Sequence, residues 1–91
     1  MLTDSVAIEN RFQYDRAMHR TLADLGPSAE GVIAGIEGDD GIAVRLSELG
    51  FTPGVTVRFI RRAPLGDPIQ VGVRGFEIAM RANEARRVVL A

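Results

Sequence analysis

A chain of 91 residues, 46% hydrophobic and 25% charged, has room for one domain and one core. It contains no cysteine, which excludes disulfides, thiolate metal sites and cysteine nucleophiles, and no run of about 18 apolar residues that would read as a membrane span. The net charge of −1 is uneven: residues 1–40 hold eight acids and three arginines, residues 41–91 four acids and eight arginines, and lysine is absent.

Residues 1–20 mix both signs with weak periodicity and are read as a mobile or marginally helical extension, leaving 21–91 as the domain proper. Met1 to Asn10 carries Asp4 and Glu9 and lacks the basic and apolar regions of a signal peptide, so the expected location is the cytoplasm. Thr21 to Leu25 predicts a short helical turn stopped by Gly26-Pro27. Ala29 to Glu37 predicts a strand. Val32, Ala34 and Ile36 share one face, while Gly31 and Gly35 flank Ile33 on the other, where backbone can be approached closely. Gly38-Asp39-Asp40 starts a helix of roughly eight to ten residues, with either aspartate as its N-cap. Ile42, Leu46 and Leu49 form its expected apolar stripe, and Gly50 suits a left-handed stop before Pro53.

The last forty residues alternate with period two. Val55, Val57 and Phe59 form one run, Ile69, Val71 and Val73 the next, and Phe76, Ile78 and Met80 the third. Ala63 to Pro68 separates the first two as a turn, and Arg74-Gly75 reverses the chain between the others. Arg81 to Ala85 allows one helical turn, and Arg87 to Leu90 closes as a fifth strand. The fold class expected is all-β: a small closed SH3-like barrel of about five strands, with one short helix after the first. An OB-fold shares the strand count but carries its helix after the third strand.

No catalytic set emerges. His19 is the single histidine and lies in the extension, and Ser47 has no base near it in sequence. Asp39, Asp40 and Asp67 sit on turns, where aspartate caps backbone amides, and no metal ligand set is dense enough to bind. The glycines at 31, 35, 38 and 41 do not match a dinucleotide fingerprint. Arg58, Arg61 and Arg62 make one strand basic. A single-strand binder, however, also needs stacking aromatics, and Phe51, Phe59 and Phe76 fall at positions read as core. The domain is therefore read as a non-enzymatic binding module, with no cofactor and no nucleic acid expected. On the residues alone, a peptide-binding or self-associating barrel stays open, as does a small-barrel binder of single-stranded nucleic acid.

Arg45 to Gly54 (RLSELGFTPG) resembles the helix and following turn of the FeoA family, the ferrous iron transport protein A domain. Ala63 to Pro68 (APLGDP) is similar to that family's most distinctive loop. Gly75, Ile78, Met80-Arg81 and Glu84-Ala85 fit its closing strands, and Leu22 to Leu25 and Gly31 to Ile36 its opening. The resemblance implies an SH3-like barrel and a cytoplasmic accessory of ferrous iron uptake. The implied partner is FeoB, a membrane transporter with a cytoplasmic GTP-binding domain, so any contact with the inner membrane would be through that partner. The candidate partner surface joins Pro64, Leu65, Gly66, Asp67 and Pro68 to the helix end at Leu49 and Phe51, because a proline-stiffened loop suits recognition.

Overall fold

A computed structural model describes residues 20–91. The extension before Arg20, with His19, lies outside these residues. The elements are a 3-10 turn at Leu22–Asp24, β1 at Glu30–Ile36, α1 at Gly41–Leu49 and β2 at Thr56–Arg62. Then follow β3 at Ile69–Val73, β4 at Phe76–Met80, α2 at Ala82–Ala85 and β5 at Val88–Leu90. The strands form one antiparallel sheet in the order β4-β3-β2-β1-β5. The five expected strands, the helix after the first and both short helical turns are all present.

The sheet curls because β1 changes partners along its length. Glu30 to Val32 pair with β2, whereas Ile33 to Ile36 pair with β5 across an irregularity between Ile33 and Gly35. Glycine makes the second pairing possible: a Cβ on Gly31 would stand 2.8 Å from Cδ1 of Leu90, whose side chain lies over that bare backbone. A second irregularity in β2, between Phe59 and Arg61, bends the sheet again before the 63–68 loop. The edges of the sheet are β4 and β5, with α2 between them in the chain.

The core lies inside this curl. Val57 and Phe59 from β2, Ile69, Val71 and Val73 from β3, and Val88 and Leu90 from β5 are buried together with Ile33, Leu22, Leu46 and Phe51. The period-two runs of the sequence thus mark the buried face, as a half-buried sheet requires. Phe76 lies opposite Val73, on the inward face, yet is 69% exposed, because it stands at the turn where β3 and β4 end.

Helix α1 is capped as expected by Asp40, whose Oδ1 accepts from the amide of Ala43 at 3.2 Å. It stops at Gly50, with φ 113° in the left-handed region where glycine carries no steric cost. Of the predicted stripe only Leu46 is buried. Ala43 and Leu46 face the core, while Ile42 and Leu49 remain 37% and 42% exposed. The i, i+4, i+7 spacing picks out the large residues, but the side of α1 that meets the body is set by Leu46 and the small Ala43.

Candidate partner-binding surface

The 63–68 loop projects from the end of the β2–β3 hairpin and is tied down on three sides. Across its base the amide of Ala63 donates to the carbonyl of Pro68 at 3.0 Å, and inside it the amide of Gly66 donates to the carbonyl of Ala63 at 2.8 Å. Arg62 reaches from β2 with one nitrogen donating to the Gly66 carbonyl (3.3 Å) and the other to the Ala23 carbonyl (3.0 Å), joining the loop to the 3-10 turn. The Arg62 guanidinium also lies 5.3 Å from the centre of the Phe59 ring, close enough for a cation–π contact. On the far side Oδ1 of Asp67 accepts from the amide of Ala82 at 2.6 Å, satisfying an amide in the first turn of α2. The Asp67–Pro68 peptide is cis.

Leu65 stands at the tip and is 98% exposed. Pro64 and Pro68 are exposed on either side of it. Leu65 is thus a single exposed apolar side chain carried on a loop that is pinned at its base. Beneath the loop, Ala63, Pro64, Pro68, Gln70, Ala79 and Arg61 line a shallow cleft of about 300 Å³.

The helix end falls elsewhere. Leu49 is partly exposed, but Phe51 is 0% exposed and belongs to the core, so it supports the surface from beneath and offers no contact of its own. A Cβ on Gly50 would stand 2.7 Å from Cδ of Arg74, which places the end of α1 against the β3–β4 turn. The loop adjoins the opposite end of β3, about 13 Å away at the usual rise of a strand. Leu49 and Leu65 are thus not neighbours in one patch. The connection between α1 and the loop runs through α2, where Arg45 pairs with Glu84 and Asp67 holds Ala82. Asp67 reads in the sequence only as a turn former, since nothing local signals a bond to an amide 15 residues on.

Two further features bear on chemistry. Asp40 and Arg87 form a bidentate pair, with Nη1 to Oδ1 at 2.6 Å and Nη2 to Oδ2 at 2.9 Å. The hydrogen bonds from Arg87, followed by that from the Ala43 amide, hold the Asp40 carboxyl down to about 2. The pair fastens the start of α1 to the approach to β5 and is accounted for by that role. At the β3–β4 end, Glu30, Arg58, Arg74, Phe76 and Glu77 border a cleft of about 280 Å³, where two arginines share the lining with two glutamates. Among the described residues no three of Asp, Glu, His or Cys converge as a metal site, and no helix is long and apolar enough to cross a membrane.

A curved five-stranded antiparallel sheet with a capped helix after its first strand and a pinned loop at one end defines a small domain of the SH3-like class. Comparison with known proteins narrows the class. A family model of the FeoA domain matches residues 20–91, and the chain belongs to the FeoA family, which is linked to ferrous iron transport. The FeoA of Stenotrophomonas maltophilia, solved in complex with zinc and described as a prokaryotic SH3 domain protein, is similar at 37% identity and TM-score 0.71. The match covers 79% of this chain and 89% of that one. The FeoA protein of Chlorobium tepidum gives 32% identity and TM-score 0.71 over 78% of this chain and 69% of that one. A relative in Porphyromonas gingivalis (strain ATCC BAA-308 / W83) is a fusion of Fe(2+) transport protein A with the Fe(2+) transporter FeoB, 28% identical over 67 residues. The match covers 74% of this chain but 8% of the fusion protein, so most of that relative has no counterpart here.

Proposed function

We propose that this domain is an accessory of ferrous iron uptake that binds the cytoplasmic GTP-binding domain of a FeoB-type transporter, with Leu65 and the loop from Pro64 through Gly66 and Asp67 to Pro68 as its anchor. The observation that carries the reading is the Porphyromonas gingivalis fusion, in which FeoA and FeoB names describe one chain. Joining two modules covalently raises the effective concentration of each at the other, which is useful when they act at the same place. Pinning of the loop at its base, by Arg62 and by Asp67, supports its role as anchor, because a preformed element loses little freedom when it docks. Leu49, at the other end of β3, is a separate and secondary contact. The work is done at the cytoplasmic face of the inner membrane, which the domain reaches through the transporter.

The test is a pulldown of the FeoB cytoplasmic domain by this chain, with and without GTP analogues, followed by titration of Leu65→Glu. Retention of the wild-type domain is expected, with affinity falling by about 2 kcal/mol, roughly thirtyfold, in the variant. No retention in any nucleotide state removes the reading. A folded Leu65→Glu variant with full affinity moves the contact away from the loop.

A further inference from the structure

Among the described residues, strand β4 is an open sheet edge. The other edge, β5, is already covered: Val89 bridges to Thr21, and the amide of Leu90 donates to the carbonyl of Arg20 at 2.9 Å. No described backbone group takes the outer side of β4 in the same way. Which of its groups face outward follows from the turn. Arg74 and Gly75 both have positive φ, 52° and 85°, so this is a two-residue turn of the primed type, and its closing pair, Val73 and Phe76, exchanges both backbone bonds. Bonded and unbonded pairs then alternate. Val71–Ile78 and Ile69–Met80 are bonded, whereas Gly72–Glu77 and Gln70–Ala79 are not. The N–H and C=O groups of Glu77 and of Ala79 therefore point away from the sheet.

Soluble proteins usually blunt such an edge with proline, charged side chains, a bulge or a very short strand. From Phe76 to Met80 there is no proline and no basic residue, and the register with β3 is unbroken. The one charge, Glu77, is engaged by Gln70, whose Nε2 donates to its Oε1 at 2.8 Å. Phe76 adds a mostly exposed ring at the end of the strand.

We propose that β4 pairs antiparallel with β4 of a second copy of this chain about a two-fold axis at Ile78. In that register the four outward groups of each copy meet their complements: Glu77 of one faces Ala79 of the other, twice, giving four N–H···O bonds. Ile78 meets Ile78, and Phe76 lies beside Met80. Neighbouring registers are worse on the same observations. Centring on Glu77 sets like charges directly opposite, which is unfavourable in a sheet. Centring on Ala79 requires the backbone of Arg81, whose amide donates to Glu84 and whose carbonyl accepts from the amides of Glu84 and Ala85. A ladder of five residues per copy is short, so the association is a weak, concentration-dependent one.

The experiment follows the full chain by sedimentation equilibrium up to about 1 mM, a range suited to weak association, with amide exchange read by NMR across the same range. A monomer–dimer equilibrium is expected, with the amides of Glu77 and Ala79 exchanging more slowly as concentration rises and that of Ile78 unchanged. Ala79→Glu and Ala79→Lys separate the interface from the fold, since both alter one exposed side chain. Opposite Glu77, the first creates two like-charge contacts per dimer and the second two attractive ones, so their dimer dissociation constants should differ by about tenfold, Glu being the weaker. A chain that stays monomeric throughout, a dimer on which the two substitutions act equally, or protection of Glu77 and Ala79 that does not change with concentration would each overturn the proposal.

Discussion

Leu49, Phe51 and Leu65 look alike in the sequence, as large apolar residues beside turns, and differ completely in what they can do. Phe51 is sealed in the core, Leu49 lies half in water, and Leu65 is almost fully solvated. Truncating Phe51 to alanine should leave a cavity and cost about 3–5 kcal/mol, while Leu49→Ala should stay below about 1 kcal/mol. Urea unfolding of the two variants checks this, and equal losses would contradict the assignment. Period and composition report which face a side chain takes but not how far along that face the core extends. Phe76 shows this: its alternation with Ile78 and Met80 was legible, while its exposure at the turn depended on where β3 and β4 end. The exposure of Leu65 was likewise not legible. Pro, Gly and Asp announced a turn, but Arg62 and Asp67, which hold it away from the body, act through contacts 39 and 15 residues distant.

Among the elements, the helix ends were the most readable, because capping is local: Asp40 and Gly50 do within four residues what their side chains, or lack of one, predict. The ion pair added to that cap makes α1 sensitive to acid. Because Asp40 titrates near 2 in the folded chain against 3.8 as its ordinary value, its contribution is complete above about pH 4. It fades as pH falls through about 2, since below both values each state binds the proton equally. Thermal unfolding between pH 4 and 2 should fall less steeply for Asp40→Asn than for the parent, and added salt should narrow the gap because the pair is exposed. Identical pH slopes would show that the carboxylate is not coupled to Arg87. The strands were readable for a different reason, their alternation, yet the change of partner along β1 was not. It depends on Leu90 finding room over Gly31, a contact between chain segments 59 positions apart.

At the scale of the whole molecule, the loop, the 3-10 turn, α2 and α1 form one connected periphery around the sheet, joined by Arg62 to Ala23, Asp67 to Ala82, and Arg45 to Glu84. Removing the Asp67 carboxylate cuts this chain beside the loop. Asp67→Ala should cost about 1 kcal/mol of stability, as loss of a bond to a helix-start amide does. If the loop is the anchor, the variant should also lose affinity for FeoB although Leu65 is intact, with an entropy of binding less favourable than that of the parent. Calorimetry of both proteins measures it, and unchanged entropy would mean that the loop is held without Asp67. The pinned loop also bears on how tolerant a contact can be. A soft loop adapts to many surfaces and selects weakly among them; a peg whose bearing is set by the folded body must be met by a socket of matching depth and angle. On the proposed contact, substitutions that tilt the peg, at Arg62 or Asp67, would alter which transporters the domain discriminates before they alter whether it folds.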